Sequence, residues 1–212
     1  MKHTIPAIIF IFALTGCAFD TQGERIGNYA KPHKALLVLD IQKDFTGDAA
    51  RMPVETAQAA RMIANVNSLI HYFDDNGEPV IYIRNVFPKK DFIANLFRNN
   101  AAVENSPGIE FDTRLFMAND HIFDKSEPDA FSNAGLERYL IENNVSELFI
   151  TGVFADQCVF WTSKGAMNRG YEVNYIKDAV ASGSIKRINN AIARIERDGA
   201  TVRNTNDIVE NR

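Results

Sequence analysis

Few residues in this chain are able to do covalent chemistry. Cysteine occurs twice, at Cys17 and Cys158. Cys158 follows the apolar run Leu148-Phe-Ile-Thr151, broken by Gly152, and precedes a stretch carrying Val159, Ala166 and Met167. A short apolar run bounded by turn residues reads as a strand covered on both faces, so Cys158 sits where a strand has ended and a helix begins. Unpaired N–H groups and the helix dipole favour negative charge there, and a thiol so placed tends toward a lowered pKa and the reactive thiolate. Two more residues belong to the same edge. Asp40 ends the run Ala35-Leu-Leu-Val-Leu39, and Lys125 follows His121-Ile-Phe-Asp124. A carboxylate can take a thiol proton, and an ammonium can hold the thiolate and tune both pKa values. Each residue also has a plainer role: a turn carboxylate, a solvated loop cation, a small core cysteine. Topology alone leaves both readings open.

The elements that must bring these residues together alternate along the chain. The first strand spans Ala35–Leu39. A helix opened by Pro53 carries Met62, Val66, Leu69 and Phe73 as one apolar stripe and ends at Gly77. Strand two is Pro79–Ile83. Residues 87 to 109 read as a short helix and a loop over one end of the sheet, and 112 to 117 as weakly helical or irregular. After the third strand comes a helix marked by Leu136, Tyr139 and Leu140, with Ser132 or Asn133 as cap. The fourth strand and the Cys158 helix follow, then strand five over Tyr171–Ile176, an amphipathic helix over Ile185–Arg197 and a last strand at Ala200–Val202. This pattern predicts one three-layer α/β/α domain around a doubly wound, mostly parallel, six-stranded sheet of order 3-2-1-4-5-6, with right-handed crossovers. In that order strands one and four are neighbours at the switch point, where parallel sheets bind ligands beyond the carboxyl ends of their strands.

At 212 residues, 46% hydrophobic and 24% charged, the composition is that of one globular domain with a sizeable core. A net charge of −4 and the lack of any basic-aromatic run give no reason to expect nucleic acid. The N-terminus differs from the rest. Lys2 and His3 precede an apolar run, Ile5 to Leu14, too short to span a bilayer and of signal-peptide length. Leu14-Thr-Gly-Cys17 resembles the bacterial lipoprotein box, which implies acylation of Cys17. Residues 1–16 are then a signal peptide, 17–33 a tether, 34–204 the folded domain and 205–212 a tail. Ala18 after the cysteine implies an outer-membrane lipoprotein facing the periplasm, the membrane being reached through the anchor at Cys17. An ordinary cleaved signal, giving a soluble periplasmic protein, is the alternative. With Cys17 acylated, Cys158 is left without a disulfide partner.

From Lys34 to Ser184 the chain resembles the isochorismatase-like cysteine hydrolases, a superfamily that includes nicotinamidases, carbamoylsarcosine and ureidoacrylate amidohydrolases, and isochorismatases. Four ordered blocks carry the resemblance: Ala35-Leu-Leu-Val-Leu-Asp40-Ile-Gln-Lys-Asp-Phe45; Phe123-Asp-Lys125 with Asp129-Ala-Phe131; Thr151-Gly-Val-Phe-Ala-Asp-Gln-Cys158-Val159; and Arg169-Gly-Tyr-Glu-Val with Asp178-Ala-Val-Ala181. The resemblance implies Asp40 as general base, Lys125 as its cationic partner and Cys158 as nucleophile. It implies a cis peptide between Val153 and Phe154, with the N–H groups of Phe154 and Cys158 forming an oxyanion hole. Gln42, Phe45 and Phe131 would approach a pocket for a small-molecule substrate. The implied activity is hydrolysis of a small amide, ureido or related C–N bond through a thioester. An isochorismatase-type vinyl ether hydrolase, or a non-catalytic lipid-anchored binding protein on the same fold, is the alternative. Family members usually form dimers or larger oligomers, which the apolar helices permit.

The chain also departs from the family pattern. Ala155 stands where Thr or Ser is common and Phe160 where many members have Glu. Nicotinamidases carry an Asp-x-His metal cluster after the second strand, whereas residues 84–95 contain Asp91 and no histidine. The expectation is therefore no metal and no other cofactor. His71, Arg84, Lys89, Lys90 and Trp161 read as surface or packing residues.

Overall fold

The computed structural model describes residues 19–210. Residues 1–16 and Cys17, to which the signal peptide and the anchor were assigned, lie outside the described residues. Six strands form one sheet: β1 (His33–Leu39), β2 (Val80–Asn85), β3 (Ile122–Lys125), β4 (Val145–Val153), β5 (Glu172–Ala181) and β6 (Thr201–Arg203). Their order is β3-β2-β1-β4-β5-β6, and every neighbouring pair is parallel. Around them lie the helices α1 (Lys43–Thr46), α2 (Thr56–Asp75), α3 (Phe92–Phe97), α4 (Ala134–Glu142), α5 (Cys158–Asn168), α6 (Ile185–Arg197) and α7 (Asn206–Val209).

The unbroken apolar run of β1 follows from helices on both faces. Ala35, Leu37 and Leu39 pack into the core under α4, α5 and α6. Leu36 and Val38 pack into the other core, with Met62, Val66, Leu69 and Phe73 of α2. A strand residue points alternately to the two faces, so a strand covered on both must be apolar throughout. Where β1 and β4 end, Leu39 is paired with Gly152. A Cβ on Gly152 would lie 2.0 Å from the Leu39 carbonyl oxygen, and its φ of +109° is one that side chains rarely adopt. This glycine lets the two central strands close up just before Asp40 and the Cys158 segment leave them.

Three sequence expectations are corrected. Helix α2 starts at Thr56 rather than at Pro53, because the Glu55 side chain caps it, accepting from the N–H groups of Ala57 and Gln58. The C-terminal stretch read as a tail forms α7, with Ile208 buried. The stretch read as a tether is docked on the domain between Phe19 and Ile26. Thr21 donates from its N–H and its hydroxyl to Asp129, at 2.7 and 2.8 Å. The Thr21 and Gln22 carbonyls accept from Arg169, and Ile26 donates to the Arg169 carbonyl. The cause lies in the domain: Arg169 is 2% exposed, and a buried guanidinium must have its donors satisfied. Glu137 takes one at 2.7 Å, and the N-terminal carbonyls take others. Of the two cap residues considered for α4, Asn133 does the capping.

Candidate active site

The chemistry-bearing side chains gather at the carboxyl edge of the sheet. Asp40 is the first residue beyond β1 and turns the chain with φ 58°, a conformation Asp tolerates better than most residues. Lys125 is the last residue of β3, in register with Asn85, the last of β2. Cys158 is the first residue of α5, after the turn out of β4. Lys125 Nζ lies 3.0 Å from Asp40 Oδ2, 2.8 Å from Asn85 Oδ1 and 3.3 Å from Cys158 Sγ. The Asn85 amide nitrogen is 3.6 Å from the same sulfur. Asp40, Lys125 and Cys158 thus share one crevice, with the ammonium between carboxylate and thiol. The Val153–Phe154 bond is cis. Among the described residues no hydrogen bond engages the N–H of Phe154 or of Cys158.

Burial governs the protonation of this cluster. It pushes Asp40 above the ordinary carboxylate range, against the pull of the Lys125 ammonium. It also opposes the charge on Lys125, but Asp40 and then the thiol more than offset it, leaving Lys125 above the ordinary lysine value. The thiol is the surprise. Its place at the start of a helix predicted a lowered pKa; instead burial pushes it up to about 11, with Lys125 pulling down and Asp40 pushing up. With Cys158 9% exposed and Asp40 beside it, desolvation and like charge outweigh the helix terminus. At neutral pH the resting site holds Cys158 as a thiol beside the Lys125 ammonium and the buried Asp40 side chain.

A cavity of about 320 Å³ opens beside Cys158, lined by Asn85, Phe45, Phe154, Phe87, Asp91 and Arg98 among others, with Phe19 of the docked N-terminal segment at its wall. Of the three residues expected to approach a pocket, Phe45 lines the cavity and stacks edge-on against Phe154. Gln42 is fully buried and does not line it. Its amide donates to the Asn85 carbonyl at 2.8 Å and accepts from the Asn85 N–H at 2.8 Å, so it fixes the end of β2. Phe131 does not line it either; it is buried against Tyr171, under the Arg169 guanidinium. Sequence reasoning missed Asn85, although it ends a strand at the same edge as Asp40 and Lys125. It also missed Phe19.

Three of the remaining residues singled out have structural partners, while Lys89 and Lys90 are exposed. Arg84 forms a two-pronged pair with Asp124, His71 stacks on Phe116, and Trp161 packs edge-on against Phe19 and Phe160. Ala155 is buried, its N–H given to the Ala181 carbonyl. Among the described residues no three His, Cys, Asp or Glu side chains are grouped to hold a metal ion.

The fold is thus a doubly wound α/β domain on a parallel sheet, with a buried cysteine, acid and amine together at its switch point. The family model of the isochorismatase domain matches residues 34–207, and the chain belongs to that family as an isochorismatase-family hydrolase. It is 27% identical over 153 residues to an uncharacterized isochorismatase family protein of Bacillus subtilis (strain 168), covering 72% of this chain and 79% of that one. It is 26% identical over 201 residues to a nicotinamidase of Escherichia coli (strain K12), covering 80% and 92%. Among solved structures, an isochorismatase-like hydrolase from Alkaliphilus metalliredigens superposes with a TM-score of 0.77 at 22% identity, covering 84% of this chain and 98% of the other. That last likeness is one of fold.

Proposed function

We propose that the protein is a cysteine hydrolase of a small amide, ureido or related C–N substrate, acting through a thioester on Cys158. The observation that carries this reading is the single ammonium of Lys125 in contact with both the Asp40 carboxylate and the Cys158 sulfur, beside a cavity of small-molecule size. The likeness to a nicotinamidase supports amide chemistry. A buried thiol near pKa 11 is not a standing thiolate, so proton removal and attack are coupled. As Sγ bonds to the substrate carbonyl carbon, its proton passes to Asp40 and the carbonyl electron pair moves onto oxygen. The N–H groups of Phe154 and Cys158 receive that oxyanion. The C–N bond then breaks, and the departing nitrogen takes the proton from Asp40, leaving a thioester and ammonia or an amine. Asp40, again a carboxylate, takes a proton from water as its oxygen attacks the thioester. Collapse expels sulfur, which recovers the proton, and the carboxylic acid leaves. Lys125 keeps its charge throughout and balances the negative charge as it moves between Asp40 and sulfur.

The test is ammonia release from a panel of primary amides, ureido acids and maleamate-like compounds. At least one is turned over by the wild type and by none of the Cys158→Ala protein. Turnover surviving in Cys158→Ala would reject the reading. We propose further that Cys17 is acylated and tethers the hydrolase to the bacterial outer membrane, facing the periplasm. Cells grown with labelled palmitate incorporate the label into the wild type and not into Cys17→Ser.

A further inference from the structure

Helix α3 carries an apolar face with no partner among the described residues. Phe92, Ile93, Leu96 and Phe97 are 72, 62, 71 and 88% exposed. Their spacing of i, i+1, i+4 and i+5 puts them on one side of the helix, while Asn95 points inward and donates to the Pro88 carbonyl. Lone exposed apolar residues are ordinary on a protein surface, but a contiguous group of this kind marks an interaction surface. Two features of its setting say what it meets. Lys89 and Lys90, both exposed, precede it, with Asp91 the one acid between them and the helix. Paired aromatics and aliphatics edged by lysines suit the interface of a bilayer with anionic headgroups. The second feature is where the described chain begins. Phe19 lines the same cavity as Asp91 and Arg98, which flank α3. Cys17 is two residues further back, and two residues of extended chain span about 7 Å at most.

We infer that this face of α3 lies on the lipid surface, so that the mouth of the Cys158 cavity opens at the membrane–water interface. The inference rests on the proposed anchor at Cys17 and goes beyond it: the anchor holds the chain at the surface, whereas this face says which side chains enter the lipid. A second copy of the chain is a poorer occupant. Four side chains on a six-residue helix offer on the order of 500 Å², short of the roughly 800 Å² per partner of a stable interface. An anchored domain meets no such threshold, because the anchor has already brought it to the surface.

The test uses the full chain, isolated with its acyl group and reconstituted in vesicles of phosphatidylethanolamine and phosphatidylglycerol, with or without bromine on the acyl chains. Phe97→Trp reports on the face, and Glu142→Trp, exposed at the opposite edge of the sheet, is the control. The emission of Trp161 is subtracted using the unsubstituted chain. Phe97→Trp loses roughly half its added emission in brominated vesicles, the response of a ring seated at acyl-chain depth, and Glu142→Trp loses none. Flotation with the vesicles is scored in parallel. A chain that floats while the two tryptophans respond alike overturns the inference and leaves the anchor standing. A chain that does not float defeats both. A chain that sediments as a dimer with Phe97→Trp blue-shifted but unquenched gives the face to a second copy. Ammonia release in detergent, scored separately, is untouched by any of these outcomes.

Discussion

Replacing Asp40 by Asn should make Cys158 more reactive and the enzyme inactive. Asp40 and the thiol touch the same ammonium at 3.0 and 3.3 Å, so they lie within about 6 Å of each other. At that distance, with an effective dielectric constant of about 20, a carboxylate opposes formation of the thiolate by about 3 kcal/mol, or about 2 pK units. Removing its charge should bring the thiol from about 11 to about 9, a thiolate–ammonium pair taking the place of the carboxylate–ammonium pair. At pH 8 the thiolate fraction rises about 100-fold, and the lower nucleophilicity of a more acidic thiol cuts the gain to about tenfold. The assay is the rate of iodoacetamide alkylation of Cys158 from pH 7 to 11, followed by mass spectrometry. Hydrolytic turnover in the same variant should fall by at least about 100-fold, since the proton acceptor is gone. Alkylation that is unchanged or slower in Asp40→Asn would refute the electrostatic argument.

Other perturbations probe the neighbouring contacts. Asn85→Ala removes one acceptor from the Lys125 ammonium and one donor from the sulfur; a hydrogen bond to a charged group is worth about 1.5–3 kcal/mol, so kcat should fall about 10- to 100-fold with the circular dichroism spectrum unchanged. Gly152→Ala places a Cβ against the Leu39 carbonyl at a φ of +109°; a loss of about 3 kcal/mol or more, read as a fall in Tm of at least about 6 °C, is expected. The folded thiol near 11 lies above its ordinary value of 9.0, so the unfolded chain ionises first as pH rises. The stabilisation is full below about pH 9 and is lost by about pH 11, and urea titrations should show the wild type losing about 2–3 kcal/mol more than Cys158→Ala across that window. Phe19→Ala opens the cavity wall; alkylation of Cys158 by a bulky maleimide should accelerate while that by iodoacetamide changes little.

Much of the fold was legible because it depends on local pattern. The apolar run of β1, the stripe of Met62, Val66, Leu69 and Phe73, and the alternation of strand and helix led to the observed sheet order. Asp40, Lys125 and Cys158 were legible because that order sends all three strand ends to one edge. The rest depends on contacts through space. Gln42 and Phe131 stand in recognisable blocks, yet their side chains serve Asn85 and Arg169 rather than the cavity. The N-terminal segment looks like a polar linker until buried Asp129 and Arg169 are seen to need its backbone. The rise in the thiol pKa comes from desolvation and from Asp40, neither visible in the run from Gly152 to Trp161.

The central claim is that the substrate carbonyl becomes bonded to the sulfur of Cys158. Once an amide is found that the wild type turns over, acid quenching in the steady state followed by intact-mass and peptide mass spectrometry tests that bond directly. The account predicts an acyl adduct on the peptide containing Cys158, released by hydroxylamine and missing from Cys158→Ser. Full turnover with no adduct at any quench time, together with retained activity in Cys158→Ser, would contradict it.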